Sequence, residues 1–412
     1  MDVWAIRSDN ALCGKPSRPA RQCLRDSALL PLLWSEPKQP MMVPLPLLFR
    51  IALLTTGAAA HTAAGFLPSV YEVDPSWEPE APASLNISGV SAVATCADVP
   101  GCNEVYLAQR GGVTPIIVLD SKTGSFLRAF GRNQTSKTSL TAHVHGLTWS
   151  AHNNISLWVT DAGWLNAHKL LGFDSQTGEL VTAFGSQGTG IHPLQYGNIA
   201  DTAWAKNGTT MFIADGDMGI NNRVSRLDAP VGKDAPVHTG DLWTTTWVRG
   251  NNGTLRSNNC NFSAPHAIAF DESSGNLYVA DRDHRRIVQL DSATGACTDQ
   301  MDLPQLLGPY YEPCPTSNAS CLRVWSVRIS AGQLFVGLGS WASPAAPGYI
   351  AVLDLRSTKL QTIIEIGRRF PHEIAVDGAH GFVYSAAIDL IDPAVAPGIG
   401  ALTRYRRKKT IV

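Results

Sequence analysis

Three histidines recur at one position of a repeated motif: His145 in VHGLTW, His266 in PHAIAF and His372 in PHEIAV. Neutral imidazole is a common transition-metal ligand, and three imidazoles around an open fourth position make a catalytic zinc geometry. One histidine in a strand is ordinarily a satisfied structural residue. Three at one register point to a shared site, provided the fold brings them together. His143, His152, His168, His238 and His284 share no such register and read as surface or loop residues.

Two arginines occupy a second common register. Arg110 follows VYLAQ and Arg282 follows LYVAD. A planar guanidinium can grip a carboxylate through two parallel hydrogen bonds. Salt bridges within the scaffold are an equal alternative, because Asp161, Asp215 and Asp281 lie in the same strand endings.

These residues sit in a repeated unit. A short apolar strand and a turn lead to a second strand with a fixed ending. HGLTWS precedes LWVTDAG, DTAW precedes MFIADGD, HAIAFD precedes LYVADRD, and EIAVDG precedes FVYSAA. Weaker copies pair VSAVA with VYLAQRG and VWSVRIS with LFVGLGS. Third strands end in Asp (IIVLDSKTG, LLGFDSQTG, RIVQLDSATG), and fourth strands read LRAFG and LVTAFG. Alternating apolar residues mark the strands, and D-x-x-T-G marks the tight turn before the fourth. A lone four-stranded sheet cannot cover both faces, so the six copies must stack radially. The expected fold is all-β, a six-bladed β-propeller spanning 66–412. Its last copy lacks a clear outer strand, which FLPSVYEV (Phe66 to Val73) can supply to close the ring. The three histidines then fall in blades two, four and six, about one third of a turn apart at the channel mouth. Ser91 or a neighbour, Ala200 and Trp325 hold that register in the other blades.

Composition agrees with many short strands. Of 412 residues, 44% are hydrophobic and 16% charged, which excludes a disordered chain and a coiled coil. The 36 Gly and 26 Pro favour turns. A net charge of −1 advertises no basic face, so nucleic acid is not an expected partner. Residues 1–40 lack periodicity and read as an unstructured extension or a misassigned start. Residues 41–64 read as a signal peptide, with Arg50, an apolar run from Ile51, and small residues Ala58, Ala59 and Ala60. That run is shorter than the ~20 residues of a membrane helix, so no stable span is expected. The chain is therefore expected in the secretory lumen or outside the cell. Seven sequons begin at Asn86, Asn133, Asn154, Asn207, Asn252, Asn261 and Asn318. Six cysteines follow the leader. Local closure favours Cys96 with Cys102 and Cys314 with Cys321, leaving Cys260 with Cys297; free buried thiols are the alternative.

The runs PHAIAFDESSGNLYVADRDHRRIVQLD and PHEIAV resemble NHL repeats. More specifically, the chain from about Leu85 onward resembles the peptidyl-α-hydroxyglycine α-amidating lyases. The resemblance implies zinc on His145, His266 and His372, and channel roles for Arg110 and Arg282. It also implies a structural calcium on the carbonyls of Val93 and Leu147 and the carboxylate of Glu373, where the family has Asp. Asp217, in ADGDMG, stands where the family has an active-site Tyr, and so becomes the candidate base or an extra metal ligand. Phe370 stands where the family has Met, and the Cys beside the family Tyr is absent. The implied function is zinc-dependent cleavage of peptidyl-α-hydroxyglycine to a peptide amide and glyoxylate. Too few residues precede the propeller for a hydroxylase half, so a separate copper hydroxylase is expected to make the substrate. The alternative is a non-catalytic secreted NHL propeller that binds a protein or glycan. A calcium-dependent, lactonase-type hydrolase ranks last, since imidazoles stand where such sites use carboxylate and Asn oxygens.

Overall fold

The computed structural model describes residues 69–408, apart from 86, 88, 98, 111–113, 132–143, 153–154, 163–167, 191–194, 218–220, 230–243, 251–259, 312–320, 341–347, 368–369 and 389–401. The leader, its cleavage region, Cys314 and five sequons (Asn86, Asn133, Asn154, Asn252 and Asn318) lie outside the described residues.

Six four-stranded antiparallel sheets form the blades. Their innermost strands are Val90–Thr95, Val144–His152, Ile199–Trp204, Pro265–Asp271, Arg323–Ser330 and Glu373–Asp377. Each neighbours the strand that follows it, so blades one to five are meanders from channel to rim, and in blade six the meander covers the three inner strands. The repeat assignment made from the sequence therefore holds in all six copies.

Turn chemistry explains the hairpins. The Asp120 carboxylate accepts the backbone N–H groups of Lys122 and Thr123, and Asp174 does the same for Gln176 and Thr177. The closing residues Gly124, Gly178 and Gly295 have φ near +81°, +71° and +68°, a region that costs glycine nothing. In blade five Thr358 takes this position at φ +55°.

Packing joins the blades. Six buried apolar clusters fill the six seams; one sets Ala92, Tyr106 and Val118 of blade one against Leu147, Val159 and Phe173 of blade two. Such contacts contribute about 1.5–3 kcal/mol per large side chain, so the ring stands on its seams.

The ring closes as the sequence suggests. Tyr71–Val73 pairs antiparallel with Leu402–Arg407 as the outer strand of blade six. Arg404 fixes this seam: it is buried, donates to Asp74 at 2.5 Å and to the Ser121 carbonyl of blade one, and lies over the Trp77 ring. Cys96–Cys102 and Cys260–Cys297 are disulfides, and Cys321 is also disulfide-bonded. Among the described residues, no helix is long and apolar enough to cross a membrane.

Candidate metal centre

Five of the six innermost strands share a bulge. Pairing slips by one residue at Ser91, Ala200, His266 and Trp325, and across His145 and Gly146. In blade six, the strand starts at Glu373, directly after His372. A bulge re-aims a side chain and frees its peptide from the ladder. Here it falls on the histidine register and serves two purposes around the ring. In alternate blades it turns an imidazole inward, and in the blades between it offers a free carbonyl.

Those carbonyls orient the rings. Nδ1 of His145 lies 2.9 Å from the Ala200 carbonyl, that of His266 2.7 Å from Trp325, and that of His372 2.7 Å from Ser91. Each imidazole is thus held by the next blade, at the residue of matching register. A carbonyl can only accept, so Nδ1 carries a proton, and in the neutral ring this leaves the Nε2 lone pair for a ligand. Gly146 permits the first contact, since a Cβ there would meet the Ala200 oxygen at 2.4 Å.

The three rings converge. Their centroids lie 4.7, 4.7 and 4.8 Å apart, and one nitrogen from each falls within 4.8 Å of the others. All three side chains are buried. Burial, reinforced by His145, holds His266 and His372 well below the ordinary imidazole range. Nε2 of His266 is buried without a hydrogen bond among the described residues, and Nε2 of His145 faces the Asp217 carboxylate. Buried, pre-oriented imidazole nitrogens that converge on one point fit a zinc ion.

Asp217 is the nearest charged neighbour. Gly216 lets its turn pass close, since a Cβ there would strike the Pro265 ring at 2.1 Å. Its Oδ2 lies 3.0 Å from His145 Nε2, and its Oδ1 lies 3.9 Å from His266 Nε2 and 2.5 Å from an Arg282 nitrogen. Burial pushes this carboxyl up, but His145, Arg282 and His266 outweigh burial and hold it well below the usual range. Arg282 also bonds Asp283 at 3.1 Å and lies 5.0 Å over the Trp325 ring.

Arg110 lies close enough to feel the charges of Asp217 and Arg282, and its own charge reaches His372. Among the described residues its guanidinium makes one hydrogen bond, from Nε to the Val144 carbonyl at 3.4 Å. Burial lowers its pKa, and Asp217 offsets part of that. Two of the three carboxylates proposed for scaffold salt bridges are taken by others: Asp215 pairs with Arg223, and Asp281 with Arg286 and His284.

The calcium expected from the resemblance fares differently. Val93 and Leu147 are buried on inner strands. Glu373, however, is ion-paired with Arg328, which also reaches Asp201 at 2.8 Å. A divalent cation needs several anionic or carbonyl oxygens to itself, and a guanidinium already holds the carboxylate. The residues do not fit calcium.

The comparisons agree with this architecture. The NHL repeat family model matches residues 262–290. Human NHL repeat-containing protein 3 is 32% identical over 327 residues, covering 77% of this chain and 82% of its own length. The chain belongs to the NHL repeat-containing protein 3 family. The mouse protein of that name is 34% identical over 205 residues, 48% of this chain and about half (52%) of its own length. A Caenorhabditis elegans protein named a probable peptidyl-alpha-hydroxyglycine alpha-amidating lyase is 28% identical over 247 residues, 60% of this chain and 61% of its own length.

Within this NHL propeller, sequence reasoning missed three features. Trp325 is more than a register match: its ring packs against Phe370 at 4.5 Å and meets His266 edge-on at 5.0 Å, walling the site. The Asp201–Arg328–Glu373 cluster was also missed, though a signal existed. Asp201 follows Ala200 as Glu373 follows His372, and Arg328 lies three residues after Trp325. With a strand period of two, these positions share one face. His168, read as a surface or loop residue, precedes its strand but is buried.

Proposed function

We propose that this propeller is a zinc-dependent lyase acting on peptides that end in α-hydroxyglycine. The observation that supports it is the convergence of three inward imidazole nitrogens with Asp217 and Arg282. Zinc held by His145, His266 and His372 would supply Lewis acidity toward a hydroxyl oxygen. With the metal present, two arginines and one aspartate leave the site strongly cationic, which suits an anionic chain end. Arg110, the less committed guanidinium, grips the terminal carboxylate. Asp217 takes the hydroxyl proton as the Cα–N bond breaks. The bond electrons go to nitrogen, which receives the proton, giving a peptide amide and glyoxylate. Trp325 and Phe370 keep water off one side.

Asp217 is a weak base in this setting, because its neighbours stabilise the ionised form. Zinc-loaded protein is expected to release glyoxylate slowly but above the uncatalysed rate, with Asp217→Ala abolishing release and Asp217→Tyr raising it. Glyoxylate is measured by its colorimetric hydrazone. Wild type and Asp217→Tyr both staying at background, with zinc bound, overturns the lyase reading.

One observation favours a second reading, a non-catalytic binding propeller. Asp217 touches His145 and Arg282 at once and so lies across the position a substrate carboxylate would take.

The disulfides and the exposed sequons Asn207 and Asn261 support a secreted, glycosylated protein. The substrate would then come from a separate copper-dependent hydroxylase in the same lumen.

A further inference from the structure

We infer that Arg328 is the built-in cation of the propeller axis, standing in for a divalent metal and making the ring independent of calcium. Arg328 lies on the inner strand of blade five, Asp201 on that of blade three and Glu373 on that of blade six. One guanidinium nitrogen donates to Asp201 at 2.8 Å, and the other donates to Glu373 and lies 3.4 Å from Asp201. Asp201 also accepts the Ile268 N–H of blade four at 3.0 Å. Four consecutive inner strands are therefore tied through one charged group.

Both carboxylates are almost inaccessible, at 1% and 4% side-chain exposure, while Arg328 keeps 18%. Two buried carboxylates repel and demand a cation. A metal ion can meet that demand only while the solution supplies it. A covalently attached guanidinium is present at any ion concentration, and its planar donors suit two carboxylates. Removing it leaves two buried anionic groups facing each other from the inner strands of blades three and six, a set of oxygens that a hard divalent cation can fill. The arrangement thus carries a latent calcium site that Arg328 occupies.

The test uses full-length protein saturated with zinc, so that chelation of the histidine centre plays no part. Thermal unfolding is followed with calcium chloride from zero to about 5 mM, a range that covers weak extracellular sites. Wild type is expected to show no shift. Arg328→Gln is expected to lose roughly 5–10 °C and to regain at least half of it with calcium. Arg328→Lys should remain insensitive to calcium, and Arg328→Gln with Glu373→Gln should lose the rescue. A wild-type midpoint that rises by more than about 2 °C with calcium overturns the inference. That measurement stands even if the Gln variant fails to fold. A folded Arg328→Gln that ignores calcium overturns it equally.

Discussion

Two layers of the same channel handle buried polar groups in opposite ways. In the histidine layer, three buried rings each turn a nitrogen toward one point, and that of His266 lacks a hydrogen bond among the described residues. In the layer built by the adjoining strand positions, two carboxylates are met by an arginine from a third strand. The second layer is complete in itself. The first is a poor structural device unless something arrives from outside, because unfilled buried acceptors cost free energy and return none. The same repeat, displaced by one strand position, thus yields a scaffold clamp and a receptive site. The receptive layer is where function is to be sought.

The largest effect that separates the layers should come from Asp201→Asn. It removes one charge of a buried triad and is expected to cost about 3 kcal/mol, the lower end for a broken buried pair because Arg328 keeps Glu373. Denaturant unfolding should show the loss, while zinc stoichiometry stays at one. Equal loss of zinc would mean that the layers are not independent.

His266→Ala should do the reverse. The metal-free protein is expected to lose only about 1–2 kcal/mol, since packing is lost but an unsatisfied nitrogen is lost with it. Zinc retention through dialysis should vanish, because a three-ligand site has no spare donor. Retained zinc would place the metal elsewhere.

The smallest effect serves as a control outside both layers. Thr358 holds φ +55° where the matching turns of blades one, two and four use glycine. Thr358→Gly should stabilise by about 0.5–1 kcal/mol in unfolding experiments and leave zinc binding unchanged. Destabilisation would show that the Thr358 side chain contributes more than its backbone costs.

Much of this protein was legible in its sequence. Strand alternation, D-x-x-T-G turns and the recurrence of HGLTW, HAIAF and HEIAV are local signals, and local signals suffice when six copies repeat them. Once the copies are arranged in a ring, symmetry alone brings His145, His266 and His372 together and predicts the registers of Ala200 and Trp325. Even the closing strand at Tyr71–Val73 followed from an unpaired edge. What only the tertiary structure decided are the pairings between blades that obey no repeat. Arg282 chose Asp217, 65 residues away in sequence, rather than the nearer Asp281, and Arg328 chose Asp201 and Glu373 across intervals of 127 and 45 residues. Long side chains can reach several acceptors from one register, so their partners depend on bulge geometry and on which charges burial leaves uncompensated. Spacing along the chain carries neither quantity. For that reason the histidine tripod could be read from the sequence, and the arginine at the axis could not.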